Sequence, residues 1–174
     1  MAESGTSKSQ LYHYFANKDA LLQAVTERQT EQVMRAQAPH LDRLDSLDGL
    51  RRWRDAIVVL QAEPTGCPLG ALASEMADES EGVRRLLVCG FERWESHVRD
   101  GLAAMQARGA LSPEADPAAL ATGTICALQG GLLLARTTRS PRPVAVALDM
   151  AIGHIARFAK STGFEDTACS RVTS

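Results

Sequence analysis

The chain lacks most of what a catalytic centre, a metal site or a membrane anchor would require. Its four cysteines, Cys67, Cys89, Cys126 and Cys169, are scattered and form no C-x-x-C pair. They are expected to be buried free thiols in a reducing compartment, which argues against a disulfide frame or a zinc ribbon. Charge of one sign is not in excess, since 19 basic residues stand against 21 acidic ones for a net charge of −2. That balance argues against a protein that coats nucleic acid non-specifically, but it allows a reader whose positive surface is local. Long hydrophobic runs are missing as well. The most apolar stretch, residues 125–135, includes Gln129 and two glycines and is expected to be too short to span a bilayer. No signal peptide is read after Met1, so a cytoplasmic protein without a membrane partner is expected. No β-α-β alternation, Gly-rich phosphate loop, carboxylate pair on one helix face or Ser/His/Asp arrangement appears. Glu92, Glu95 and His97 share no metal-binding face, and His40 and His154 have no evident partners. No metal, no cofactor and no enzyme are therefore expected.

What is present is concentrated near the start. Gly5 permits a tight turn, and Ser7 followed by Gln10 is a capping-box pattern that opens a short helix. Leu11 and Phe15 share one face of that helix. The other carries Lys8, Ser9, Tyr12 and His13, flanked by Gln10 and Tyr14, all able to donate to phosphates or reach base edges. Asn17 caps the next helix, with Lys18 at its start. A cation at the positive end of a helix dipole is poorly placed unless an anion such as a phosphate lies opposite.

The run from Gly5 to Phe15, with its Leu-Tyr-His-Tyr-Phe core, followed by Asn17-Lys-Asp-Ala-Leu-Leu22, resembles the recognition helix and following helix of the TetR family of transcriptional repressors. Cys67-Pro-Leu-Gly-Ala-Leu72 resembles a segment of the LmrA/YxaF-like branch. The resemblance implies an all-α fold, with a partial helix-turn-helix and connecting helix in residues 1–37 and a helical-bundle ligand-binding and dimerisation domain in residues 38–174. It also implies that family members carry one helix and most of a second before the equivalent of Gly5. Only four residues precede Gly5 here, so either the reading frame starts upstream or the chain is shortened, and weak operator binding by this form is the expectation. By the same resemblance Lys8, Ser9, Gln10 and His13 read base edges, whereas Tyr12, Tyr14 and Lys18 hold phosphates.

Further along, a helix from Asn17 to Gln37 is expected to end at Pro39. Asp45 or Ser46 caps a second helix bearing Leu47, Leu50, Trp53, Ile57 and Leu60, and Glu63 to Gly66 breaks it. Pro68 opens a short helix. Asp78 and Glu81 are a capping pair for the longest helix, whose stripe Val83, Leu87, Phe91, Trp94, Val98, Leu102, Met105 predicts one face buried throughout, with Gly109 as its stop. After Pro117, Gly123, Ala127, Gly131 and Ala135 recur every four residues, a ridge that suits close approach of another backbone. A last helix carries Val144, Leu148, Ala151, Ile155 and Phe158 on one side and is expected to end at Gly163.

These patterns support a ligand-responsive repressor that is released from double-stranded operator DNA by an apolar small-molecule effector. The alternative is a helical dimeric ligand-binding or interaction module without DNA binding. Trp53, Ile57, Leu60, Cys67, Phe91, Trp94 and Leu128 are the candidate pocket wall, with plain core packing as the competing role for the aromatics and a close-packed turn for Cys67. Gly123, Ala127, Gly131, Ala135, Leu148, Ala151 and Ile155 are the candidate homodimer face. The competing arrangement packs the ridge inside the monomer, against the long helix.

Overall fold

The computed structural model describes residues 15–160. Six helices run through the described residues: α1 (Lys18–Leu41), α2 (Leu47–Leu60), α3 (Pro68–Met76), α4 (Glu81–Ala107), α5 (Pro117–Thr138) and α6 (Arg142–Ala156). The chain is all-α, and the one β feature among these residues is an isolated bridge, Leu111 to Ala159, that staples the α4–α5 turn to the segment after α6.

Side chains set most boundaries. Asn17 Oδ1 accepts the Ala20 amide at 2.8 Å, and Ser46 Oγ accepts Gly49 N at 3.0 Å. Such caps satisfy an otherwise unpaired helix N–H and contribute about 1 kcal/mol each. Asp116 caps α5 through two amides, and Pro117 occupies its first turn. Gly109 follows α4 at a positive φ of 78°, as a helix stop requires.

Three boundaries differ from expectation, and so does the length of one apolar helix. Pro39 lies inside α1, which continues to Leu41. So close to the end a proline forfeits one hydrogen bond, and burial of Leu41 outweighs it. Ser80, and not Asp78, caps α4 by accepting Val83 N at 3.1 Å. The last helix stops at Ala156, well before Gly163, because the chain turns there to form the bridge with Leu111. Residues 125–135 belong to a 22-residue helix, α5, that is long and apolar enough to cross a membrane by length and composition. Here it is a core element, with Ala121, Ile125, Leu128 and Leu132 buried between its neighbours.

α5 packs along α6, α4 lies against α1 and α5, α2 bridges α1 and α6, and α3 closes the space between α1 and α4. The main core is built on Trp53, Trp94, Val98, Leu102, Leu128 and Leu148, and a smaller cluster of Leu69, Val83 and Leu87 lies under α3. The whole α4 stripe is buried except Phe91, which is half-buried. The thiols depart from expectation: Cys89 and Cys126 are exposed and Cys67 is half-buried, because the first two fall on the outer sides of α4 and α5.

Candidate functional site

Three places bear on function: the start of α1, a cavity between α1 and α2, and the outer face of α5 and α6. Lys8, Ser9, Gln10, Tyr12, His13 and Tyr14 lie outside the described residues. Lys18 is exposed in the first turn of α1, and no carboxylate lies within ion-pair distance of it among the described residues. The neighbouring Asp19 is turned towards α4, accepting hydrogen bonds from Gln23 Nε2 at 2.6 Å and from Ser80 Oγ. An exposed cation, unpaired among the described residues, thus sits at a helix N-terminus while the adjacent acid ties that end of α1 to the cap of α4, an arrangement suited to an external anion.

The cavity has a volume of about 250 Å³, at the small end for ligand pockets. Of the residues expected to wall it, Ile57, Leu60, Cys67 and Trp94 do so. The other three do not. Trp53 is fully buried behind the wall, where its Nε1 donates to Gln37 Oε1 at 2.9 Å. Leu128 is fully buried in the core, and Phe91 faces a neighbouring cavity on the other side of Cys67. Periodicity marks which residues turn inward but not whether they meet neighbours or empty space.

The residues missed are polar. Gln29, Gln32 and Gln37 of α1, Gln61 and Thr65 complete the wall beside Val33, Ala36 and Leu132, and among the described residues no Asp, Glu, His, Lys or Arg lines it. The signal was present: Gln37 falls between Met34 and Leu41, and Gln61 follows Ile57 by four, so both occupy core register. Cys67 Sγ accepts from the Gly70 amide and from Gln129 Nε2, each at 3.5 Å, which makes the thiol the N-cap of α3. Trp94 Nε1 is enclosed and has no acceptor among the described residues.

On the outer face the small-residue ridge divides. A Cβ at Gly131 would stand 2.7 Å from Val144 Cα, and Ala135 is fully buried, so this half of the ridge serves contact between α5 and α6 within one chain. Leu148 and Ile155 of α6 are buried in the main core. These four do not form the outer surface, and the backbone that Gly131 meets is α6 of the same chain and not the long helix. Gly123, Ala127 and Ala151 instead line an open groove of about 650 Å³ together with Ala147, Met150 and Phe158. Leu133, Leu134 and Val146 add exposed apolar area on these two helices.

Against known families, residues 41–151 match the model described as "Tetracyclin repressor-like, C-terminal domain". The chain belongs to the TetR family. Residues 1–25 match a second model, "Bacterial regulatory proteins, tetR family", which covers the recognition segment and the first turns of α1. Among solved structures, regulatory protein TetR from Rhodobacter sphaeroides aligns at 25% identity and a TM-score of 0.74, over 86% of this chain and 82% of that one. A TetR-family transcriptional regulator from Agrobacterium tumefaciens aligns at 19% identity and a TM-score of 0.75, over 87% and 81%. A TetR transcriptional regulator from Chloroflexus aurantiacus J-10-FL gives 24% identity and 0.75, over 86% and 77%. The latter two likenesses concern the fold alone. No curated protein matches the chain. The protein is a TetR-family DNA-binding transcriptional regulator.

Proposed function

We propose that this TetR-family protein is a cytoplasmic, homodimeric repressor of the LmrA/YxaF-like branch, released from its operator when a small molecule with an apolar body enters the cavity between α1 and α2. The observation that carries the reading is that α1 walls the cavity with Gln29, Gln32, Val33, Ala36 and Gln37 and carries Lys18 at its start, directly after the recognition segment. A ligand that binds one position of α1 better than another must bias the position of the reader, and only such differential binding can drive release. Lys8, Ser9, Gln10 and His13 are assigned to base edges, and Tyr12, Tyr14 and Lys18 to phosphates, the division of labour usual for a helix in the major groove. The groove along Gly123, Ala127, Met150 and Ala151, with its exposed leucines, is the self-association surface.

The test separates sensing from reading. Ala36→Trp should fill the cavity and abolish release by any effector found in a hydrophobic-metabolite screen, with operator affinity retained. Lys18→Ala should weaken binding to operator and random DNA alike and reduce the salt slope by about one. Effector release that survived Ala36→Trp would refute the cavity as the sensing site.

A further inference from the structure

Two buried glutamine amides in the cavity wall have their orientation imposed by fixed donors. Trp53 Nε1 can only donate and meets Gln37 Oε1 at 2.9 Å, and the Gly66 backbone N–H can only donate and meets Gln61 Oε1 at 3.2 Å. Each partner claims the carbonyl oxygen, so neither amide can flip without setting two N–H groups against each other. What is left towards the cavity is nitrogen. Gln37 Nε2 uses one hydrogen on the Val33 carbonyl at 3.1 Å and keeps one. Gln61 Nε2 makes no hydrogen bond among the described residues, although the residue is only 8% exposed and lines the cavity. The cavity is the open direction for so buried a group.

Resting on the reading of this cavity as the effector site, we infer that it is built for an uncharged ligand that presents a hydrogen-bond acceptor, a carbonyl or ether oxygen on a compact apolar body, to Gln61 and Gln37. Acceptance is required because the fixed amides offer donors. Neutrality follows because, among the described residues, the wall holds no carboxylate, imidazole, ammonium or guanidinium group to pair with a charge, and a buried charge without a partner is costly. The apolar body meets Ile57, Leu60 and Leu132. Gln29, half-buried, and Gln32, exposed, have no partner fixing their amides among the described residues and tolerate either polarity.

A matched pair of probes isolates the acceptor. Benzophenone and diphenylmethane differ by a carbonyl in place of a methylene, and 4-benzoylbenzoate adds a charge. By titration calorimetry on the full chain, the ketone should bind at least about tenfold tighter than the hydrocarbon, as expected when a buried donor gains its partner, and the carboxylate should bind more weakly than the ketone. Gln61→Glu keeps an oxygen for the Gly66 amide but replaces the donor. Above the pKa of the new carboxyl, which burial raises, it should abolish the preference for the ketone without weakening the hydrocarbon. Gln61→Leu gives the same reading without the new charge and serves if the Glu variant melts early. Equal affinity for ketone and hydrocarbon, a ketone preference that survives both variants, or a tighter carboxylate would overturn the inference while leaving the cavity as a binding site. Binding of neither ketone nor hydrocarbon would overturn the effector-site reading itself.

Discussion

Replacing Gly131 by alanine should destabilise the fold even though alanine is the better helix former. A Cβ at this position would lie 2.7 Å from Val144 Cα and 3.2 Å from Ala147 Cβ. The first of these is backbone, so relief requires α5 and α6 to separate along a contact that also buries Ala135 and Leu148. Overpacking of this kind costs about 1–3 kcal/mol, and the gain in helix propensity returns about 1 kcal/mol. The neighbouring Gly130 is the internal control, because a Cβ there meets nothing within 4 Å. Gly130→Ala should therefore raise stability by up to about 1 kcal/mol. The propensity gain is common to both variants, so the difference between them reports the close approach alone, about 1–3 kcal/mol. Urea unfolding followed by helical circular dichroism at two protein concentrations would measure it, the second concentration separating folding from association. A Gly131→Ala midpoint equal to that of Gly130→Ala would refute the close approach of α5 to α6.

Three further outcomes are expected. Trp53→Phe removes the donor to Gln37 Oε1 and leaves a buried acceptor unpaired, so the melting temperature should fall by the equivalent of about 1–3 kcal/mol, and an unchanged melt would show that the bond contributes nothing. Met150→Glu, on a side chain 73% exposed within one chain, should leave helicity intact and shift sedimentation towards monomer, whereas an undisturbed dimer would place the interface elsewhere. Glu81 is held below the usual carboxylate range, chiefly by its hydrogen bond from Arg84; its contribution is therefore present above the ordinary carboxylate pKa and lost as pH falls through the depressed one. Glu81→Gln should flatten that acidic part of the stability profile, and an unaltered acid limb would count against the pair.

The helices were legible because burial follows a three-and-four spacing that tertiary packing did not overrule. The α4 stripe from Val83 to Met105 is the clearest case, with Phe91 alone only half-buried. Boundaries were less legible where local rules competed. Ser80 displaced Asp78 as a cap because it also reaches Asp19 on α1, a partner 61 residues away in sequence. The Gly-Ala ridge was correctly seen as a place of close approach, but a four-residue repeat cannot say which backbone approaches, and here Gly131 meets α6 of the same chain while Gly123 faces open space. The cavity was the least legible. A glutamine in core register reads as an interruption of an apolar stripe, and its meaning depends on Trp53, a donor carried by the next helix.

The placement of those glutamines bears on how a bound ligand would be felt at the DNA. Gln37 and Lys18 sit on one unbroken helix, nineteen residues apart, so about 28 Å separates these two positions. Along that distance α1 is held on its α4 side by Asp19 with Ser80 and Glu31 with Arg93. At Gly90 the two helices nearly touch, since a Cβ there would come within 3.0 Å of Thr30 Oγ1. α1 therefore has little room to move towards α4, and α4 contributes Trp94 to the same cavity. A ligand that widens the cavity must push against α2, which carries Ile57 and Leu60, or swing α1 and α4 together. Two close-packed helices joined at their N-terminal ends and again near mid-length respond as one body, and a small rotation at the cavity then becomes a displacement that grows along α1 towards Lys18. Loosening the joint, for example by removing the Ser80 hydroxyl, would let α1 yield locally and dissipate that rotation before it reached the recognition segment.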